Sequence, residues 1–349
     1  MTGRTLPDGW TLAASTFNWM PDVLRAERPA ADVVAAIAGE GVATTVEIEL
    51  GQVLRSFPDP EPAEVDALRE ALGRAGGRVG VVGASVDDFA ASGERRPDGE
   101  RLAFLVPQLH AAHRLGALGV RLPVGQAGRP LLERLLPLLH ELGLTLFEEI
   151  QGQQVPTDPA VVPAVDAIGE LDDDRVRLLV DISMLMPALP PSYLERLAAS
   201  GVPADLVARL THDWRSPTTA DAVVALLRDG AVPPRIHTLY MDLVVRFGRS
   251  DAAALRGVLP LLGAVHLKFW DLDDTDGRVS RPIADLAGLL RGAGFRGTLT
   301  SEWGGHEWLD GVDATDCTRR HLAMAASALA AGADPREEVP GAVPVGAAQ

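Results

Sequence analysis

Four side chains that can bind a metal stand near the ends of short apolar segments in the second half of the chain. They are Glu149 in segment 144–150, Asp181 in 176–182, His266 in 264–270 and Glu302 in 297–303. An ionised carboxylate is rarely buried without a partner, because its desolvation is costly. Three carboxylates in one place would repel one another unless a divalent cation lay among them. A mixed oxygen and imidazole set suits Mn²⁺ best here, with Mg²⁺, Co²⁺ or Zn²⁺ as alternatives.

The alternation of residues within these segments turns the four side chains away from the apolar face. In segment 144–150, LTLFEEI, the side chains of Leu146 and Ile150 share one face, so Glu149 points to the other and Glu148 does not. The same pattern holds in the other three segments. The alternative is that each carboxylate pairs with an arginine such as Arg121 or Arg177. Because four such residues stand at equivalent positions near the ends of four segments, we favour a metal site over separate pairing with arginines.

The elements that must position these residues are strands alternating with helices. Eight short apolar segments are predicted to be strands, at 12–16, 44–50, 77–84, 119–124, 144–150, 176–182, 264–270 and 297–303. Segments with apolar residues at helical spacing separate most of them, for example 62–77 and 130–143. Strands alternating with such helices favour parallel pairing through right-handed crossovers. Eight units predict an α/β fold, a closed (β/α)8 TIM barrel, with the four residues at the strand ends where barrel enzymes hold their chemistry.

One long segment interrupts the alternation. Residues 183–263 replace a single crossover helix between strands 6 and 7, and we predict a helical insertion that covers the mouth of the barrel. Residues 1–333 are predicted to form one barrel domain. Residues 334–349 are rich in proline and glycine without periodicity, which predicts a mobile tail.

Composition excludes several classes of function. The net charge of -16 argues against nucleic acid or an anionic membrane surface as a partner, because both require clustered positive charge. The one cysteine, Cys317, excludes an internal disulfide framework and a cysteine-rich zinc site, and is interpreted as a small packed hydrophobe. The N-terminus lacks the apolar core of a signal peptide, and no apolar run is long enough to span a membrane. We therefore predict a cytoplasmic protein.

Lys268 is the only lysine in a chain whose other basic side chains are arginines. It shares the inward face of its strand with His266, so we expect its ammonium group in the barrel mouth. A compact, titratable amine can act as a general acid or base, or can stay charged and hold an oxyanion or hydroxyl. Survival of one lysine by chance is the alternative.

Further polar and aromatic side chains are candidates for binding a substrate. Glu47 and Glu49 lie on the inward face of strand 2, and are predicted to bind hydroxyl groups of a substrate or Arg121, which is itself a candidate substrate contact. Three indoles at strand ends can stack on a ring of a substrate, with core packing as the alternative: Trp19, Trp270 and Trp308. His306 follows Glu302 across two glycines, which let a backbone approach a ligand, and is a candidate contact or acid, with a solvated loop histidine as the alternative.

The order Glu, Asp, His, Glu on strands 5 to 8 resembles the xylose isomerase-like barrels, the sugar isomerase and epimerase superfamily, from Leu12 to Ala331. The stretches AVHLKFWDLDD, GFRGTLTSEWGGHEW and RRHLAMA are similar to the α subunit of C-glycoside deglycosidases. The resemblance implies that the four residues ligate one divalent metal. It also implies an enzyme that removes a proton next to the carbonyl of a sugar or oxo-glycoside, in an isomerisation, an epimerisation or a β-elimination. We expect Glu149, Glu302, Lys268 and His306 to take part in catalysis.

The chain departs from this family at two positions. Many members have a histidine two residues after the strand 5 glutamate and another three residues after the strand 6 aspartate, where this chain has Gln151 and Met184. A mechanism that uses the first histidine as a base is therefore in doubt, and Gln151 is expected to contact the substrate. The replacements also motivate a second hypothesis, a non-catalytic barrel subunit or scaffold. Deglycosidase α subunits act with a small β-rich partner, so we expect such a partner or a homo-oligomer.

Overall fold

A computed structural model describes residues 6–331, and eight parallel strands in it close into a barrel in the order of the sequence. The strands are β1 (Trp10–Ser15), β2 (Thr45–Glu49), β3 (Arg78–Gly83), β4 (Gly119–Pro123), β5 (Thr145–Ile150), β6 (Val176–Asp181), β7 (Leu262–Phe269) and β8 (Gly297–Trp303). Pairing of β8 with β1 closes the barrel. The predicted (β/α)8 fold is confirmed.

Helices surround the strands and cover their outer faces. Outside the segment between β6 and β7 they are α1 (Met20–Arg25), α2 (Ala30–Gly39), α3 (Leu50–Val53), α4 (Pro62–Arg74), α5 (Asp98–Leu115), α6 (Gly128–Leu142), α7 (Val162–Leu171), α12 (Ser280–Gly292) and α13 (Ala314–Ala331). Helix α6 shows why they form. Its leucines at positions 131, 132, 135 and 139 recur at helical spacing and are buried, and Gly143 ends it with a φ of 68°.

The segment between β6 and β7 is helical. It contains α8 (Pro191–Ala199), α9 (Ala204–His212), α10 (Pro217–Arg228) and α11 (His237–Val245). These helices enclose a hydrophobic core of their own, which includes Tyr193 and Phe247 and extends to Trp270 of the barrel. Strand β7 begins at Leu262, so the last two residues of the predicted insertion 183–263 belong to the strand.

Two further hydrophobic cores stabilise the barrel itself. The larger one lies between the strands and the outer helices. A small cluster of Val81, Phe147, Leu179 and Ala264 fills the barrel interior. Phe147 and Leu179 lie two residues before Glu149 and Asp181 on the same strands, so this cluster forms an apolar floor beneath the strand ends. The chemistry of the barrel is thereby confined to its C-terminal end.

Within residues 6–331, no helix combines the length and apolar character needed to cross a membrane. The predicted tail at 334–349 lies outside the described residues.

Candidate metal centre

Strands β5 to β8 bring the four predicted metal ligands together. Each of Glu149, Asp181, His266 and Glu302 offers one ligand atom, and these atoms lie within 4.8 Å of one another. The strand register explains this, because Asp181 pairs with His266 across β6 and β7. All four side chains are buried. The inward orientation predicted from alternation is the orientation that the structure shows.

His266 is oriented so that one ring nitrogen faces the three carboxylates. Its Nε2 lies 2.9 Å from Glu47 Oε1, which accepts the Nε2 proton in this arrangement. Its Nδ1 lies 2.6 Å from Glu302 Oε2, 2.8 Å from Glu149 Oε1 and 3.9 Å from Asp181 Oδ2. A carboxylate that holds the outer nitrogen of a histidine is typical of metal sites, where it fixes the tautomer and turns the other nitrogen to the ion.

Two buried atoms of this cluster lack a hydrogen-bond partner within the described part of the chain. They are His266 Nδ1 and Glu302 Oε2, which lie 2.6 Å apart; with the His266 proton on Nε2 both are acceptors, and no donor from residues 6–331 stands between them. Buried polar atoms are nearly always satisfied, so an unsatisfied pair at one point indicates a missing ligand. An imidazole nitrogen with three carboxylate oxygens is a donor set that Mn²⁺, Co²⁺ or Zn²⁺ accepts. The residues present therefore fit a divalent cation.

The charges in the cluster and its burial shift the pKa values of its residues in opposite directions. Burial would lower the pKa of His266, but the carboxylates of Glu47, Glu302 and Glu149 raise it well above its usual value. Burial raises the pKa of Asp181, with Lys268 opposing the effect. Burial would also raise the pKa of Glu302, but Lys268 and His266 hold it well below its usual range. So concentrated a set of acidic groups has a strong electrostatic preference for a positive charge.

Arg121 supports one side of the cluster. Its guanidinium lies between the carboxylates of Glu47, Glu49 and Glu149, with Nη1 donating to Glu149 Oε2 at 2.7 Å and Nε to Glu47 Oε1 at 3.2 Å. The alternative in which arginines neutralise the carboxylates thus holds for one oxygen of Glu149, while its other oxygen faces His266. Arg177 pairs with Asp174 instead.

Lys268 supports the opposite side. Its Nζ donates to Glu302 Oε1 at 2.8 Å and lies 4.6 Å from the centre of the Phe17 ring. Burial would lower the pKa of Lys268, but Glu302 and Asp181 outweigh it and raise that pKa above its usual value. Of the two predicted roles, this environment favours a charged ammonium group that donates hydrogen bonds.

A cavity of about 230 Å³ opens above the cluster at the C-terminal end of the barrel. It is lined by Phe17, Glu49, Gln52, Arg121, Glu149, Gln151, Asp181, Ser183, Arg246, Lys268, Trp270 and Glu302. The predicted candidates Glu49, Arg121, Gln151, Lys268 and Trp270 are therefore brought together with three of the four predicted ligands. His266 lies beneath them, fully buried.

Several lining residues were not predicted from the sequence. Arg246 follows α11 of the insertion, where its guanidinium pairs with Asp242 and Glu307 and reaches the cavity. No periodicity in the insertion marks this position. Gln52 has a buried Oε1 without a partner in residues 6–331 and so can accept a hydrogen bond from a ligand. Its place directly after the strand that carries Glu47 and Glu49 is a signal that could have identified it.

Some predicted contacts lie elsewhere. Trp19 is 3% exposed, and its indole N–H donates to Thr315, while Trp308 packs on Tyr193 in the insertion core. The structure thus favours the packing alternative for both indoles. Glu47 does not line the cavity, and its contacts with His266 and Arg121 favour an orienting role over the predicted contact with a sugar hydroxyl.

His306 occupies the turn that follows β8. Its ring packs against those of Phe17 and Trp303, at centroid distances of 4.8 and 5.5 Å, and the Phe17 ring also contacts Lys268. A Cβ atom on Gly305 would lie 1.8 Å from Trp270 O. The glycine here therefore permits packing against the protein backbone, and the predicted close approach to a ligand is not needed to explain it.

Comparison with known proteins relates the chain to sugar-converting enzymes. No family model matches it. It is 28% identical over 318 residues to the C-glycoside deglycosidase alpha subunit of Arthrobacter globiformis, with 89% of this chain and 90% of that protein aligned. It is 27% identical over 323 residues to the 3'-dehydrocarminate deglycosidase alpha subunit of a Microbacterium species, covering 88% of this chain and 91% of that protein.

Solved structures share the fold. The 3-keto-D-glucoside 4-epimerase from E. coli superposes with a TM-score of 0.53 and 14% sequence identity, over 91% of this chain and 99% of that one. At this identity the likeness concerns the fold, a xylose isomerase-like barrel. The deglycosidase subunits, aligned over most of the chain, support a sugar-converting enzyme.

Proposed function

Because this chain is a homologue of the C-glycoside deglycosidase α subunits on a xylose isomerase-like barrel, we propose that it is a divalent-metal-dependent enzyme that removes a proton next to the carbonyl of a sugar or oxo-glycoside. The observation that carries the proposal is the convergence of four ligand atoms within 4.8 Å beneath an open cavity. Unpartnered His266 Nδ1 and Glu302 Oε2 among the described residues support it.

The metal would be held by Glu149, Asp181, His266 and Glu302. We propose Mn²⁺ as the natural ion, with Mg²⁺, Co²⁺ and Zn²⁺ as possible substitutes. When bound, such an ion polarises a carbonyl or hydroxyl oxygen and stabilises negative charge that develops there.

A carboxylate on the cavity wall would remove the proton from the substrate carbon next to the carbonyl. Glu149 and Glu302 stand on strands β5 and β8, and each also contacts a fixed cation, Arg121 and Lys268 respectively. Burial would raise the pKa of Glu302, but Lys268 holds it well below its usual range, so Glu302 has the ionised form that a base requires. The electron pair of the broken C–H bond moves towards the carbonyl oxygen of the substrate. The Lys268 ammonium group would donate a hydrogen bond to the oxygen that gains this charge.

The cavity suits one sugar ring. Its volume of about 230 Å³ is below the roughly 300–1,000 Å³ typical of sites for drug-sized ligands. Gln151 and Glu49 line it with groups that can bind hydroxyls, and the indole of Trp270, which packs on Phe247, forms part of its wall. His306 does not line the cavity, and we propose that it positions Phe17, which does, through the contact between their rings.

Which bond changes after proton removal depends on the substrate. In a glycoside oxidised at C3, the proton on C2 is acidic and the bond from C1 to the aglycone lies β to the carbonyl. The electron pair returning from oxygen can then expel the aglycone, which takes up a proton, in a β-elimination. Without a leaving group, return of the proton gives an epimer or an isomer. The names of the two deglycosidase relatives, one of them acting on a 3'-dehydro compound, favour an oxo-glycoside here.

A partner subunit is also proposed. Both curated relatives are named as alpha subunits, which implies an assembly of more than one kind of chain. We propose that this chain acts with a small β-rich partner or as a homo-oligomer. Light scattering on purified protein tests this, and a monomer that turns over substrate unaided would contradict it.

The central experiment combines metal content with a substrate screen. Chelator-treated protein, with and without added Mn²⁺, is incubated with matched oxidised and unoxidised glycosides and with free ketoses. We expect turnover only with Mn²⁺ and only of carbonyl-bearing substrates, and loss of both metal and turnover in Glu149→Gln. Full activity of metal-free protein would refute the proposal. A Glu149→Gln variant with unchanged metal content and turnover would instead favour a scaffold.

A further inference from the structure

Strand β8 loses one of its two neighbours just before it reaches Glu302. Its pairing with β1 ends at the Ala14 and Ser301 pair, because β1 stops at Ser15 and the chain turns into the 3₁₀-helix Thr16–Trp19. Its pairing with β7 continues for two more residues, Glu302 and Trp303. The ligand therefore stands where the sheet has no backbone partner on the β1 side.

The side chain of Asn18 takes that place. Its Nδ2 donates to Ser301 O at 3.3 Å, and its Oδ1 accepts from the backbone N–H of Trp303 at 2.6 Å. Nδ2 also donates to Thr318 Oγ1 on α13 at 2.9 Å. Asn18 is fully buried, so these three bonds are shielded from water.

This pattern reproduces a parallel strand pairing. In a parallel ladder, the residue opposite position i donates to the carbonyl of i−1 and accepts from the N–H of i+1. Asn18 makes these two bonds to Ser301 and Trp303, with Glu302 as position i. The primary amide of an asparagine side chain has an N–H donor and a C=O acceptor in one plane, as a peptide group has. It can therefore replace the backbone partner that β1 does not supply.

We propose that Asn18 is a positioning residue for Glu302. The proposal rests on the proposed function, in which Glu302 is a metal ligand and a proton acceptor. Asn18 extends the β1 side of the sheet by one residue, so the Glu302 backbone is held between β7 and the asparagine amide. Its carboxylate is then fixed towards His266 and Lys268. Supporting groups of this kind typically change metal affinity by about 10–100-fold when removed.

The chemistry requires asparagine. Leucine has a similar shape but neither polar atom, and would leave Ser301 O and the Trp303 N–H without partners. Aspartate keeps the acceptor for Trp303 but cannot donate to Ser301 when ionised. An added negative charge would by itself strengthen cation binding, so weaker binding in Asn18→Asp would report the lost hydrogen bond.

The test measures Mn²⁺ binding to metal-free protein by calorimetry in Asn18→Leu, Asn18→Asp and the control Thr318→Val. The control removes the third bond of Asn18, to Thr318 Oγ1, and leaves both bonds to β8 intact. Melting temperatures of the metal-free proteins identify any loss of fold. We expect a Kd weaker by about 10–100-fold in both Asn18 variants and within about twofold of the original in Thr318→Val.

Folded Asn18 variants that bind Mn²⁺ as tightly as Thr318→Val would overturn the inference. If Asn18→Leu does not fold, Asn18→Asp decides the same comparison. If the unaltered protein itself binds no Mn²⁺, the proposed function fails separately. The inference is then decided by hydrogen exchange at the Trp303 amide, which should be faster in the Asn18 variants than in Thr318→Val. An equal exchange rate would refute it.

Discussion

Glu47→Gln is the most direct test of how the metal centre is built. Glu47 is 1% exposed, and its Oε1 contacts both His266 Nε2 at 2.9 Å and Arg121 Nε at 3.2 Å. Glutamine keeps the shape and one acceptor oxygen but removes the charge. The substitution therefore leaves His266 in place and weakens the force that holds its Nε2 proton and turns Nδ1 to the carboxylates.

The size of the effect follows from the contact that is changed. A hydrogen bond to a charged group contributes about 1.5–3 kcal/mol, against about 0.5–1.5 kcal/mol for a neutral pair. Only the bond to His266 bears on the metal, since Arg121 also pairs with Glu49 and Glu149. Replacing the charged bond to His266 by a neutral one costs the difference, about 1–1.5 kcal/mol, which corresponds to a Kd for Mn²⁺ weaker by about 5–12-fold.

The assay is calorimetric titration of chelator-treated protein with Mn²⁺ at one pH. Glu148→Gln is the matched control, because Glu148 is another fully buried carboxylate and precedes a ligand in the chain. Its Oε2 accepts from the Gly125 N–H on the opposite face of β5. We expect the control to bind Mn²⁺ as the unaltered protein does. Equal Kd values for Glu47→Gln and Glu148→Gln would refute the reasoning that Glu47 orients a metal ligand.

Two further predictions concern Lys268 and His321. Lys268→Arg should keep metal and fold but lose about 10²–10³-fold in kcat, because a bulkier guanidinium cannot take the place of an ammonium group between Glu302 and Phe17 and donate to the same oxygen. Wild-type kinetics would show the lysine to be an accident of composition. Burial lowers the pKa of His321 in the folded protein to about 3, from 6.5 in the unfolded chain. As the pH drops below 6.5, the unfolded chain therefore binds a proton that the folded protein does not, and the free energy of unfolding falls. Urea unfolding should show a loss of about 2 kcal/mol between pH 7 and pH 5 that His321→Gln lacks, and the same loss in both proteins would contradict it.

The sequence by itself determined the barrel and the identity of its four candidate ligands. Both depend on local patterns, because alternation along a strand assigns each side chain to a face and helical spacing marks the crossovers. Once eight parallel strands are inferred, their C-terminal ends must meet. Glu149, Asp181, His266 and Glu302 then converge without any knowledge of their contacts.

Only the tertiary structure decided which groups support those ligands. Alternation placed Glu47 on the inward face of strand 2, but not against His266, which is 219 residues away in the sequence. No periodic signal marked Asn18, whose Oδ1 accepts from the Trp303 N–H 285 residues away. Arg246 lines the cavity because the insertion packs over this end of the barrel. Trp19 does not line it, because the chain turns into a 3₁₀-helix at the end of β1. Such contacts depend on how strands and helices pack in three dimensions. Alternation along one strand shows which face each side chain is on, but not which residue of a neighbouring element it contacts.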